Sequence, residues 1–194
     1  MSKEPQIEWK QQYWRLLMEK CRLAHITLAE QVHKCGPSNA EKTLSHLRTA
    51  AVLWAHLDPP GLPVPGLPQP TVFQNLNSLQ SNILGLAGDV YFSMVQHWNK
   101  VVSPPQSVET TLVDEQLRQI LDDSESCNVS EADYFPYPAS LHEALQFSLE
   151  HYRLALSSVG PGSGGASEVL SLAKRLGNVC NEMGVFFMSK ASGM

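Results

Sequence analysis

The run Ala173 to Gly184, Ala-Lys-Arg-Leu-Gly-Asn-Val-Cys-Asn-Glu-Met-Gly, constrains this chain more than any other stretch. Leu176 and Gly177 form a pair in which the missing side chain lets neighbouring helix backbones approach. Cys180 supplies an apolar knob three residues on, and Gly184 stands seven past Gly177, where a helix is expected to stop. A second copy lies at Ala87-Gly88-Asp89-Val90-Tyr91, with Tyr91 as the knob. Between the copies, Tyr152 follows Ser148 by four residues and Ala155 comes three later, the spacing of a second helix folded back on the first. Units of this kind bury a shared core by stacking and offer a surface to other chains, and they carry no chemistry of their own.

Breaks in the chain divide it into helices. Residues 59–70 hold six prolines in twelve positions, so neither a helix nor a sheet ladder can cross them. Residues 160–165 hold four glycines and a proline, and lack both the preceding strand and the Gly-Lys-Ser/Thr ending of a phosphate loop. The expected layout is a helical hairpin over 1–58, a Pro-rich linker over 59–72 and a helical region over 73–159 with an acidic loop near 122–138. A Gly-rich linker over 160–168 and a truncated repeat helix over 169–194 follow.

In the hairpin, Trp14, Leu17, Cys21, Ala24, Leu28 and Val32 are spaced as a buried stripe, and Ala40, Leu44, Leu47, Ala51 and Trp54 give a second one. Ser38 with Glu41, and Ser140 with Glu143, read as capping boxes. Phe73 to Trp98 repeats at helical spacing, Val108 to Leu121 gives a shorter helix, and Leu141 to Leu156 gives another. The cluster Tyr134-Phe135-Pro136-Tyr137-Pro138 is expected to fasten the end of the acidic loop onto the helices.

Charge is uneven. Residues 1–58 hold eight Lys/Arg and six Asp/Glu, while 108–150 hold one and ten. An acidic block opposes phosphate binding, so direct nucleic-acid contact is not expected. No run approaches the roughly 20 apolar residues that span a bilayer, no secretory core opens the chain, and a cytosolic or nuclear protein without membrane association is expected. Cys21, Cys35, Cys127 and Cys180 lack a framework spacing, so no disulfide is expected. A zinc site from Cys21, His25, His33 and Cys35 is rejected, because ligands strung along one straight helix cannot converge on a tetrahedral ion. No nucleophile sits in a strand-turn-helix context. The chain is therefore read as a non-enzyme with no cofactor and no metal, the alternative being a small helical-bundle enzyme or ligand-binding domain with a closed polar pocket.

Taken together the spacings resemble tetratricopeptide repeats, and the expected fold is all-α, a tetratricopeptide-like α-solenoid fragment of antiparallel hairpins with Pro-rich and acidic loops. Its packing positions would be Leu176, Gly177, Cys180, Gly184, Gly88, Tyr91, Tyr152 and Ala155. Leu23-Ala24 with Leu47 and Ala50 resembles a loosened first unit.

The run from Arg175 to Met188 resembles part of the erythroid differentiation-related factor 1 family, large metazoan proteins with such repeats. That resemblance implies a nuclear, positive regulator of transcription in red-cell maturation, working through contacts with other proteins, transcriptional regulators among them. It breaks off after Met188, which implies a fragment or truncated form. With Gly184 ending the helix, Phe186, Phe187 and Met188 either fold back on Leu172, Leu176 and Cys180 or stay exposed. Self-association through this C-terminal edge is the expected consequence.

Overall fold

The computed structural model describes residues 4–57, 80–98, 134–159 and 166–192, and apolar stripes at helical spacing, separated by proline and glycine, form helices over most of them. The described helices are α1 (Glu4–Lys34), α2 (Ala40–Leu57), α3 (Ser81–Gln96), α4 (Leu141–Ser158) and α5 (Ala166–Ser192), with a 3-10 turn at Pro37–Asn39. Side chains of α1 are described from Gln12 onward. The Pro-rich linker, the stretch 73–79, the stretch 108–121 expected to be helical, the acidic residues 122–133 and the Gly-rich stretch 160–165 lie outside the described residues.

The architecture is all-α, built from paired antiparallel helices. α1 packs on α2, α3 on α4 and α4 on α5, while α3 also touches α2 and α1. Side-chain bonds set the directions. Arg22 of α1 reaches Gln80 at the mouth of α3, and Asp89 of α3 reaches Arg175 of α5. Thus α1, α3 and α5 run parallel in one layer, with α2 and α4 folded back against them.

The first turn between helices departs from the expected capping box. Gly36 adopts φ 108°, a left-handed conformation open to glycine, and leads into the 3-10 turn with no side-chain cap. Ser38 accepts a hydrogen bond from the Asn39 side-chain Nδ2, and the Glu41 carboxylate is drawn to Arg48, at 2.6 Å, instead of to a backbone N–H. At α4 the box forms. Ser140 Oγ accepts from the Glu143 N–H at 3.1 Å, and the Glu143 carboxylate accepts from the Ala139 N–H at 2.6 Å, satisfying two amides at the helix start.

The buried face of α1 is not the expected one. Arg22, Ile26 and Ala29 are buried, whereas Trp14, Leu17, Ala24 and Leu28 are exposed. Both sets follow three-and-four spacing, and α2 covers the first. Arg22 is buried because its guanidinium is satisfied from three sides: Glu19 takes two bonds, Gln80 takes one, and the Trp54 ring lies 4.8 Å away.

The core centres on α3. Tyr152 lies across Gly88 so closely that an added Cβ would meet its ring at 2.8 Å. Ser148 donates to the Gly88 carbonyl at 2.9 Å. Tyr91 is fully buried, with the Phe147 ring 5.2 Å and the His151 ring 5.1 Å away, and Ala155 is buried too. Burial drives the Tyr91 hydroxyl pKa well above the ordinary phenol range.

Tyr134–Pro138, expected at the end of an exposed acidic loop, is built into this core. Phe135 is buried, its ring 5.3 Å from His151 of α4, and its carbonyl accepts from Arg48 Nε of α2 at 3.1 Å. Tyr91 donates to the Pro136 carbonyl at 2.8 Å. The segment thus ties α2, α3 and α4 together. Phe135 adopts φ 45°, which costs a non-glycine residue about 1–3 kcal/mol, and burial of the ring with the Arg48 bond holds it there.

The C-terminal helix corrects the sequence expectation most. α5 continues through Gly184 to Ser192, so Gly184 does not end it. Only Leu172 and Val179 are buried on it, with Leu176, Met183 and Phe186 packed partly against the core. Phe186 neither folds back on its own helix nor stays free, since its ring stacks on His142 of α4 at 5.6 Å. Phe187 and Met188 are exposed.

Candidate interaction groove

Because α1, α3 and α5 are parallel neighbours, their facing sides enclose a groove of about 640 Å³ on the side of the layer away from α2 and α4. The C-terminal end of α1 contributes Glu30, His33 and Lys34, while the N-terminal halves of α3 and α5 contribute the rest. Gly85 lowers the wall, since a Cβ there would meet Leu172 Cδ2 at 3.3 Å.

Asp89 organises the wall between α3 and α5. One carboxylate oxygen accepts from the Tyr152 hydroxyl at 2.5 Å and the other from Arg175 Nη1 at 2.6 Å. Burial raises the Tyr152 hydroxyl pKa far above the ordinary phenol range, and the adjacent carboxylate pushes it further the same way. Tyr152 therefore remains a donor. At the groove's end Ser81 donates to Glu168 at 2.8 Å, a second tie between α3 and α5.

His33 is the half-buried titratable group on the α1 side, between the exposed Glu30 and Lys34. Burial lowers its pKa, Asp89 opposes that shift and Arg175 adds to it, so the imidazole is neutral at neutral pH. A neutral ring offers one donor and one acceptor. With the exposed Glu30, Lys34 and Asn82 at the rim and apolar Leu86 and Leu172 below, the groove can take a ligand by paired hydrogen bonds and modest apolar contact.

The residues singled out from sequence fall into two groups. Gly88, Tyr91, Tyr152 and Ala155 meet at the α3–α4 contact, directly behind the groove. Leu176 packs partly on the core, but Cys180 is exposed, and an added Cβ at Gly177 or Gly184 meets nothing within 4 Å among the described residues. Those two glycines therefore do not serve helix approach here. Register explains part of this. The Ser81–Glu168 and Asp89–Arg175 bonds span 87 and 86 positions, which brings Lys174 or Arg175, and not Gly177, level with Gly88. Likewise Arg22 and Gln80 lie 58 positions apart, which puts Glu30 about level with Gly88 and moves the Leu23-Ala24 pair out of register.

The four residues weighed for zinc disperse. His25 Nδ1 sits 3.2 Å from His46 Nδ1, His33 lines the groove, and Cys35 Sγ donates to the Gln31 carbonyl at 3.4 Å. No cluster of three metal-ligating side chains occurs among the described residues. No helix among them is long and apolar enough to cross a membrane.

Sequence reasoning missed His33, Asp89 and Arg175 as groove residues. The available signal was position: Asp89 directly follows Gly88, and Arg175 directly precedes Leu176. No protein-family model, curated protein or solved structure matches the chain.

Proposed function

We propose that this chain is a helical-repeat scaffold of tetratricopeptide type that binds another protein along the α1–α3–α5 groove. The observation that carries the reading is the groove itself: three parallel helices present neutral His33, the Asp89–Arg175 pair and a rim of both charge signs on one side of a layer whose other side is closed by α2 and α4. Such a surface suits a segment of another chain, whose backbone amides match the donor and acceptor of His33 and whose side chains meet Leu86 and Leu172. The role is binding and not catalysis.

The finer reading, a nuclear regulator of transcription acting through protein partners, rests on the resemblance over Arg175 to Met188. Its test combines localisation with capture. The tagged chain should enrich in nuclei and recover the same partners reproducibly, and His33→Ala with Leu86→Glu should lose them while keeping the helical spectrum. Partners that survive both groove substitutions would refute the groove as the binding face. A chain excluded from nuclei would refute the transcriptional role alone.

A further inference from the structure

Among the described residues, every exposed large hydrophobic side chain lies on α1 or α5, the two outer helices of the three-helix layer. The two surfaces differ in kind. On α1, Tyr13, Trp14, Leu17, Cys21, Ala24 and Leu28 follow three-and-four spacing along one face, with no charged residue among them. Tyr13 is 61% exposed and Leu28 46%. On α5 the matching run is Leu170, Ala173, Gly177, Cys180, Gly184 and Met188, again uncharged and all exposed. One face is bulky and the other is nearly bare of side chains at its centre.

Both faces point away from the groove. In α1 the groove side carries Glu30, His33 and Lys34, and in α5 it carries Ser167, Ser171 and Arg175. At about 100° per residue, the uncharged faces fall on the far sides of these helices. They are thus the two opposite ends of the layer, at similar lengths of 31 and 27 residues. Layers of stacked helices expose such apolar ends unless polar residues cap them, and the stripes named here carry no charged side chain.

We propose that the bulky face of α1 in one copy of this chain packs into the small-residue face of α5 in a second copy, joining chains head to tail. The two faces are complementary in shape. The Tyr13 and Leu17 side chains fill the trough over Gly177 and Gly184, where no side chain resists close approach, as ridges of one helix fill the grooves of another. Tyr13 at 61% exposure, Trp14 at 38%, Leu17 at 40% and Leu28 at 46% on one face, with Leu170 at 72% and Met188 at 64% on the other, supply apolar area on the order of several hundred Å², and the rims of both helices must join the contact to reach the roughly 1,200 Å² of a specific interface. Bulky face against bulky face would hold the helices apart, and bare face against bare face would bury little. The contact is heterologous, so copies add until a ring closes or a filament grows.

Sedimentation of the full chain over a range of concentrations tests this, alongside two double variants: Tyr13→Glu with Leu17→Glu on α1, and Gly177→Glu with Gly184→Glu on α5. The glycine positions have open space for a Cβ, so the fold tolerates the change, and helix content is followed by circular dichroism. If either double variant loses its helix signal, Leu17→Lys or Gly184→Lys alone replaces it. The parent should gain mass with concentration, each variant should stay a monomer, and a 1:1 mixture of the variants should form a two-chain complex that grows no further. A monomeric parent overturns the proposal. So does continued association of either variant by itself, which would reveal a contact between like faces.

Discussion

α3 and α5 carry the same step of an apolar residue followed by glycine, Ala87-Gly88 in one and Leu176-Gly177 in the other, yet their surroundings are opposite. α3 lies in the middle of the layer and is buried along its length, from Ile83 to Met94, with Tyr152 pressed on Gly88. α5 lies at the edge, buries only Leu172 and Val179, and leaves both its glycines without a neighbour among the described residues. A glycine in a helix thus has one of two meanings. Where a neighbour fills the space its side chain would occupy, it is a packing requirement. Where nothing does, it lowers helix stability by about 1 kcal/mol relative to alanine.

The largest effect should come from the ring that gives Gly88 its meaning. Tyr152→Ala removes a buried side chain and its bond to Asp89, and a loss of about 3–5 kcal/mol in urea unfolding is expected, as for other large aromatic-to-alanine changes in cores. Leu170→Ala at the α5 edge, where the residue is 72% exposed, should change stability by less than about 0.5 kcal/mol. Equal effects would erase the distinction between the middle and the edge.

Acid should probe the same buried centre. His151 lies against α3 and Phe135, where burial holds its pKa down to about 4 while the Phe147 carbonyl opposes the shift. The folded pKa lies below the unfolded one, so the unfolded chain takes up the proton first as pH falls. Stability is then fully present above pH 6.5, is lost between 6.5 and 4, and loses nothing more from this group below that. The loss amounts to about 3 kcal/mol. His33 and His56, also lowered by burial, act in the same direction. Urea midpoints at pH 7, 5.5 and 4 should fall steeply for the parent and less for His151→Gln; an unchanged slope in the variant would remove His151 as the cause.

The glycines give the sharpest contrast, because one substitution should change sign between the helices. Gly88→Ala places a Cβ 2.8 Å from the Tyr152 ring and should cost about 1–3 kcal/mol through forced shifts. The effect of opposite sign is expected at the edge. In the dilute monomer, where no second copy covers α5, Gly177→Ala or Gly184→Ala meets no neighbour among the described residues and should stabilise the chain by about 1 kcal/mol each, read as a rise in thermal midpoint. A destabilised Gly177→Ala would mean that another surface already covers α5.

Local chemistry carried the helices. The Ser140–Glu143 box formed because a cap is settled within one turn, and the stripe of Leu141 to Leu156 follows helical spacing that no distant residue alters. The aromatic cluster at Tyr134–Pro138 was legible as an anchor because an apolar run beside acids has few stable places except a core. What it fastens to, the Arg48 guanidinium and the His151 ring, lies 87 and 16 positions away in the chain and could not be read from it.

The face of a helix that is buried, and the meaning of a glycine within it, were decided by the tertiary structure alone. α1 offers one stripe through Trp14, Leu17, Ala24 and Leu28 and another through Arg22, Ile26 and Ala29, and spacing cannot rank them, since both recur at three and four residues. The choice fell to Arg22, whose burial requires Glu19, Gln80 and Trp54 together and so turns one face toward α2 and α3. The groove depended on the same choice, because His33, Asp89 and Arg175 meet only when the three parallel helices take their register. Sequence determined that these helices form and where their caps and breaks fall, since those depend on neighbours within a turn. Which faces meet depends on side chains brought together from distant parts of the chain, and only the packed structure holds that information.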